Sequence, residues 1–284
     1  MPPLLSNWRN IAVFLDASPR GEKVGREAAV LAQHHNAHLI GVCGIKLLAS
    51  HPSNSNVRGG AIREAIEAQR RSEEQQALIA ERWFIEFLQE YKISSEFRFV
   101  RSHDPNADSA LRTLHCDLIV AAHPIPEHLP PHWSAEQLLL LTGIPVLLIP
   151  TDWAGSKIGR HVVIAWNRSR EARRAANDAM PFISAADDVT ILIVDDDRDF
   201  ERFGDSPGNN LLHHLSRHEA KVQIARVSSE GASIAGIIAT EADKRGADLL
   251  VVGAYSHSRS AETLFGGVTR SLLSDIRIPM FISR

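Results

Sequence analysis

One order of short apolar runs occurs twice along the 284 residues, and no other feature narrows the fold as much. Residues 10–16 form a run of strand-forming residues that stops at the turn signal Asp16-Ala17-Ser18-Pro19. Residues 161–169 repeat it and stop at Asn167-Arg168-Ser169. Residues 188–194 match 38–42 and their neighbours, 247–253 match 116–122, and 278–283 match 144–149. Four matched runs in one order imply a tandem duplication. Helical patterns lie between the runs, so the strands are expected to be parallel and covered on both faces by helices. Right-handed crossovers then restrict each half to a doubly wound, five-stranded parallel sheet. The expected domains are residues 1–152 and 153–284, joined by a linker over 150–160 that holds Gly155 and Gly159.

Between the runs, residues 22–35 carry apolar positions at helical spacing, and residues 48–60 read as a loop rich in Ser, Asn, Pro and Gly. A long helix is expected from about residue 61 to 91, another over 104–115 with Asp104 as N-cap before Pro105, and a third over 134–141 ending at Gly143. Hydrophobic residues at 44% and charged residues at 23% fit a soluble globular chain. A net charge of -3 gives no overall basic footprint for nucleic acid. Cys43 and Cys116 form no paired motif, which fits buried thiols in a reducing cytoplasm. The first residues have no long apolar core and read as no secretory signal. No run approaches the roughly 18 apolar residues of a membrane helix.

Doubly wound sheets bind ligands beyond the carboxyl ends of their strands, where the strand order reverses. In the second half those ends are Asn167 and Gly253. After Gly253 comes a polar loop, and Gly266-Gly267 then opens an amphipathic segment. Free N–H groups at a helix N-terminus, preceded by residues without bulk, make a site for an anion. A phosphate-bearing ligand held mostly by backbone is therefore expected here. The matching segment of the first half, residues 121–133, has no glycine and four prolines, which donate no N–H. It is also shorter: 28 residues separate Asp117 from Pro145, against 31 from Asp248 to Pro279. Elsewhere the first half is the longer, with 75 residues from Val42 to Asp117 against 54 from Val194 to Asp248.

Gly253, two residues, Ser256, nine residues, Gly266 and Gly267 keep a spacing similar to that of the ATP-binding members of the universal stress protein family. Those members carry Gly, two residues, Gly, nine residues, then Gly followed by Ser or Thr. The chain departs from the pattern at Ser256 and Gly267. The whole chain resembles the tandem, two-domain members of that family. The resemblance implies the family's fold, related to the adenine nucleotide alpha hydrolases, with two domains packed as a pseudo-dimer through the fifth strands at 145–149 and 279–282. It implies that Gly253, Ser256, Gly266, Gly267, Val268 and Thr269 hold phosphate and ribose, and that Ala165, Trp166, Asn167 and Val194 line the adenine and ribose end. An Asp stands near ribose and metal in the family; the first half has Asp16 there and the second Asn167. The implied ligand is ATP or another adenine nucleotide, with Mg²⁺ as a companion.

Rival sites carry less. His123, His128 and His132 match no standard zinc spacing, and His213, His214 and His218 lack the Glu of a metalloprotease helix. The acidic run Asp195, Asp196, Asp197 and Asp199 reads first as a solvated turn, and Arg168, Arg170 and Arg259 as surface charges. No Walker A motif and no serine nucleophile elbow is present, so no catalytic residue is assigned. The expected function is a cytoplasmic stress-response regulator, a homodimer or intramolecular pseudo-dimer, that binds an adenine nucleotide in its C-terminal domain and signals through dimer or partner contacts. The alternatives are an interaction scaffold without nucleotide and a slow ATPase using Mg²⁺.

Overall fold

The structure, a computed structural model, describes residues 7–45, 60–101, 107–125, 133–155, 157–195, 208–254 and 267–284. The chain divides into two compact units, one of residues Trp8–Ile144 and one containing Pro145–Arg284. In the first, β1 (Asn10–Leu15), α1 (Pro19–His35), β2 (His38–Ile45), α2 (Gly60–Tyr91), β3 (Ser95–Arg101), α3 (Ala107–Arg112), β4 (Leu118–His123) and α4 (Ala135–Thr142) follow in order. The strands lie in the order β3-β2-β1-β4, all parallel. Five of the six residues in β1 and in β4 are buried, as central parallel strands covered on both faces must be.

The second unit contains β5 (Val146–Pro150), β6 (His161–Ala165), α5 (Arg170–Asp178), α6 (Met180–Ala185), β7 (Asp188–Val194), α7 (Asn209–Arg217), β8 (Val222–Val227), α8 (Ile234–Lys244), β9 (Leu249–Gly253), α9 (Gly267–Ser274) and β10 (Met280–Ser283). Its strand order is β5-β10-β9-β6-β7-β8. The pair β5–β10 is antiparallel, with Leu148 opposite Met280 and Val146 opposite Ile282; the other pairs are parallel. The two apolar fifth strands thus cover each other's edges. The strand order reverses between β1 and β4 in one unit and between β6 and β9 in the other.

The duplication extends to single hydrogen bonds. The N–H groups of Arg9 and Asn10 donate to Asp117 Oδ2 at 2.7 and 2.9 Å. Those of Gly159, Arg160 and His161 donate to the Asp248 carboxylate at 3.0, 3.2 and 3.0 Å. Each carboxylate clasps the start of the central strand to its neighbour. Ser18 and Ser169 cap α1 and α5 through their hydroxyls, and Pro19 suits the first turn because its missing N–H would have no helical partner. A fifth matched strand, β8, goes beyond the four matched runs. It is an edge strand whose residues are half-buried or exposed, so it lacks a continuous apolar signal.

The long helix runs over Gly60–Tyr91, as its spacing predicts. Ala77, Ala80, Phe84, Phe87 and Leu88 form its buried stripe. Gly25 of α1 admits it closely: a Cβ there would lie 2.7 Å from the Trp83 ring. The helix expected over 104–115 is confined to Ala107–Arg112 among the described residues, and Asp104 and Pro105 lie outside them. So does the loop expected over 48–60, except for Gly60. Among the described residues no helix is long and apolar enough to cross a membrane.

His35 closes α1 with its ring 4% exposed and 4.7 Å from that of Trp8. Burial, with the neighbouring His34, pushes its pKa down from 6.5 to about 4. The unfolded imidazole takes up its proton near 6.5, so the native state binds fewer protons below that pH. Stability is full above the unfolded value and falls as pH drops from about 6.5 toward 4. Between pH 7.5 and 5, urea unfolding should show the native chain losing up to about 2 kcal/mol more than His35→Leu. Parallel pH profiles of the two proteins would refute this.

Candidate functional site

The switch point of the second unit lies beyond Ala165, Val194 and Gly253, the last residues of β6, β7 and β9. Ala165 pairs with Leu192 on one side and Val252 on the other, so these strand ends are adjacent. Trp166 continues the strand by donating its N–H to Leu192 O at 2.9 Å. Asn167 then turns the chain: its Oδ1 accepts the N–H of Ser169 at 3.1 Å, and Arg168 takes a left-handed conformation with φ 61°. The hydroxyl of Ser169 accepts the N–H of Ala172 at 3.0 Å and starts α5.

This turn aims the first turn of α5 at the end of β9. A Cβ on Gly253 would fall on the backbone of Glu171 and Ala172, 2.7 Å from Ala172 Cα. Gly253 is therefore required by the approach of helix to strand, whatever else it does. At Gly267 the opposite holds: among the described residues a Cβ would meet nothing within 4 Å. Gly267 is exposed, is the first residue of α9, and leaves the N–H groups of that first turn without helical acceptors. A helix that returns along a parallel sheet starts at the carboxyl end of the strands, which places the start of α9 at the switch point.

The strand ends are less buried here than the sheet below them. Ala165, Trp166, Val194, Gly253 and Val268 are half-buried and Asn167 is exposed, while Val162, Val163, Ile164, Ile191, Leu192, Val251 and Val252 below them are buried. Thr269 is buried. The indole Nε1 of Trp166 is buried and, among the described residues, donates to no acceptor. Ser256 and Gly266 lie outside the described residues. Thus Ala165, Trp166, Asn167, Val194 and Gly253 come together at the carboxyl end of the sheet, and α9 starts with Gly267, Val268 and Thr269.

Charges near the cleft are tied to structural tasks. Burial pushes the Glu171 carboxyl up, but hydrogen bonds from Arg170, from its own backbone and from Ser169 outweigh this and hold it below its ordinary range. Its negative charge faces the positive end of α5. Asp195, first of the acidic run, accepts from the N–H and the hydroxyl of Ser229, both at 2.8 Å. Asp196, Asp197 and Asp199 lie outside the described residues. Among the described residues no group of three or more His, Cys, Asp or Glu is placed to hold a metal ion. The rings of His214 on α7 and His218 at its C-terminal cap meet edge to face at 4.9 Å. Burial pushes the thiols of Cys43 and Cys116 up to about 12, so neither is an activated nucleophile.

The sequence points to Gly253 through its spacing, but the spacing does not reveal that α5 alone demands it. Trp166 was legible only as a neighbour of Asn167. Its buried, unsatisfied N–H has no signature in the sequence.

Residues 159–284 match the sequence profile of the Universal stress protein family. No curated protein sequence matches the chain. Solved structures of similar fold include a universal stress protein from Archaeoglobus fulgidus, 15% identical, with a TM-score of 0.67 over 97% of this chain and 96% of that one. A functionally unknown protein from Pseudomonas aeruginosa is 16% identical, with a TM-score of 0.62 over 98% of this chain and 93% of its own. A putative universal stress protein from the same species is 16% identical, with a TM-score of 0.60 over 99% and 95%. At these identities the likeness establishes the fold.

The two glycines predict opposite results. Gly253→Val should lower stability by about 2 kcal/mol or more through overpacking against α5. Gly267→Ala should leave it within about 0.5 kcal/mol, since an exposed helix position gains rather than loses from Ala. Chemical denaturation of both variants checks the pair, and equal losses would contradict the packing assignment.

Proposed function

We propose, from the match of residues 159–284 to the universal stress protein family and the likeness of nearly the whole chain to that fold, that the C-terminal domain binds an adenine nucleotide. The observation that carries the reading is the less buried sheet end at Ala165, Trp166, Val194 and Gly253, next to a helix start that offers Gly267 without a side chain. The N–H groups of Gly267, Val268 and Thr269, with the loop from Gly253 through Ser256 and Gly266, hold the phosphates. They act as a nest of donors at the positive end of α9. Asn167, whose Oδ1 serves the turn, stands at the ribose end. The backbone around Val194 reads the adenine edge, and a ligand oxygen satisfies the Trp166 N–H. The protein is a cytoplasmic regulator whose dimer or partner contacts follow the nucleotide state.

Mg²⁺ is not needed to define this site. Two oxygens at the strand ends, Asn167 Oδ1 and the Asp195 carboxylate, serve backbone and hydroxyl donors of the fold. If Mg²⁺ binds, it does so through the nucleotide phosphates, whose charge it neutralises.

Two measurements test the reading. Mass spectrometry of the denatured, purified chain identifies a carried nucleotide, and calorimetry with ATP, ADP and AMP measures affinity. Binding is expected, with at least a tenfold loss in Gly266→Val and a smaller loss in Trp166→Phe. One lost hydrogen bond to the ligand corresponds to roughly 1 kcal/mol, or about fivefold. No carried nucleotide and no heat at millimolar ligand would leave Gly253 with its packing role alone and favour a scaffold.

A further inference from the structure

The two halves can be compared residue by residue at the switch point. Strand register matches Phe14 of β1 to Ala165 of β6, because Ile11 faces Leu118 as Val162 faces Leu249. The buried positions of the last helices match Ala135, Leu138 and Leu139 of α4 to Thr269, Leu272 and Leu273 of α9. The same step matches Trp133 to Gly267. Where the second half has Ala and Gly, the first has Phe and Trp.

These aromatics fill the space. Phe14 is 0% exposed and Trp133 1%, and their rings meet edge to face at 5.7 Å and 80°. Their counterparts are half-buried Ala165 and exposed Gly267. The other end of the first cleft is closed by α2, from the longer stretch between β2 and β4. Its Glu73, Gln76 and Ala77 line a residual pocket of about 140 Å³ with Asp16, Ser18 and Gly44. Register matches Gly44 to Val194, so this helix stands where the adenine end would be. The remainder is well below the roughly 300 Å³ of a typical small-molecule site. It is also lined by two buried carboxylates, Asp16 and Glu73, which oppose phosphate.

We propose that the N-terminal domain retains the nucleotide cleft of its fold but occupies it with its own Phe14, Trp133 and α2. Trp133 stands where the second domain presents Gly267 to a phosphate. This does not rest on which ligand the second cleft takes.

The test removes the plug and transplants it, in the full chain. Trp133→Gly should lower the thermal midpoint by about 10 °C, as loss of a fully buried Trp does. Added indole should raise it again by several degrees, saturably, because it re-enters a preformed cleft. The reciprocal double variant, Ala165→Phe with Gly267→Trp, should keep or raise the midpoint of the native chain and lose nucleotide binding at least tenfold. An unchanged midpoint in Trp133→Gly overturns the proposal, as does a fall that indole leaves untouched while the double variant is destabilised. If the native chain binds no nucleotide, the functional reading fails, and the indole and midpoint results still decide the plug.

Discussion

Each half of the chain leaves its central strand on one side-chain oxygen that catches the N–H two residues ahead. In the first half it is Asp16 Oδ1 with Ser18, at 3.0 Å; in the second, Asn167 Oδ1 with Ser169, at 3.1 Å. The bond needs an acceptor oxygen and no charge, so Asp and Asn build the same turn. From it follow the serine cap, the direction of the first helix and the pressure of that helix on its surroundings. Both halves answer that pressure with a glycine, placed differently. In the first it is Gly21 on the helix, where a Cβ would fall on Asp16; in the second it is Gly253 on the strand, where a Cβ would fall on α5. The corner that organises the cleft is therefore constructed before any ligand is considered.

This explains what the sequence could and could not tell. Central parallel strands are apolar on both faces, so β1, β4, β6 and β9 are legible as runs and their repetition as a duplication. β8 is an edge strand of mixed polarity, and its run does not stand out. Gly253 was legible as a residue that must lack a side chain. Close packing and close approach of a phosphate both call for a missing Cβ, so the letter cannot distinguish them. Trp133 sits beside prolines and histidines, in a stretch that reads as surface loop. Its burial against Phe14 depends on two segments more than a hundred residues apart, which no local pattern records.

The same logic applies to charge. Asp16 and Asn167 hold equivalent turns, so their difference is free to serve the cleft. In the first half the carboxylate lines a small pocket together with Glu73. In the second half the neutral amide removes a negative charge from the mouth of a cleft read as a phosphate site. At about 4 Å a pair of unit charges of like sign costs several kcal/mol at the effective dielectric of a protein surface, and a dipole avoids it. Without a cation to bridge them, Asn is the better partner for phosphate and Asp for metal. The loss of the acid and the retention of the glycine loop are thus consistent with each other.

A filled cleft and its counterpart also divide the stability of the chain. Phe14 and Trp133 contribute their burial whether or not any ligand is present, as core aromatics do. The second unit forgoes that contribution, because Ala165 and Gly267 bury little. A ligand that binds only the folded cleft restores it by mass action, in proportion to the logarithm of its concentration over its dissociation constant. One half therefore has a stability set by its own side chains, and the other a stability that any ligand of the folded cleft would raise.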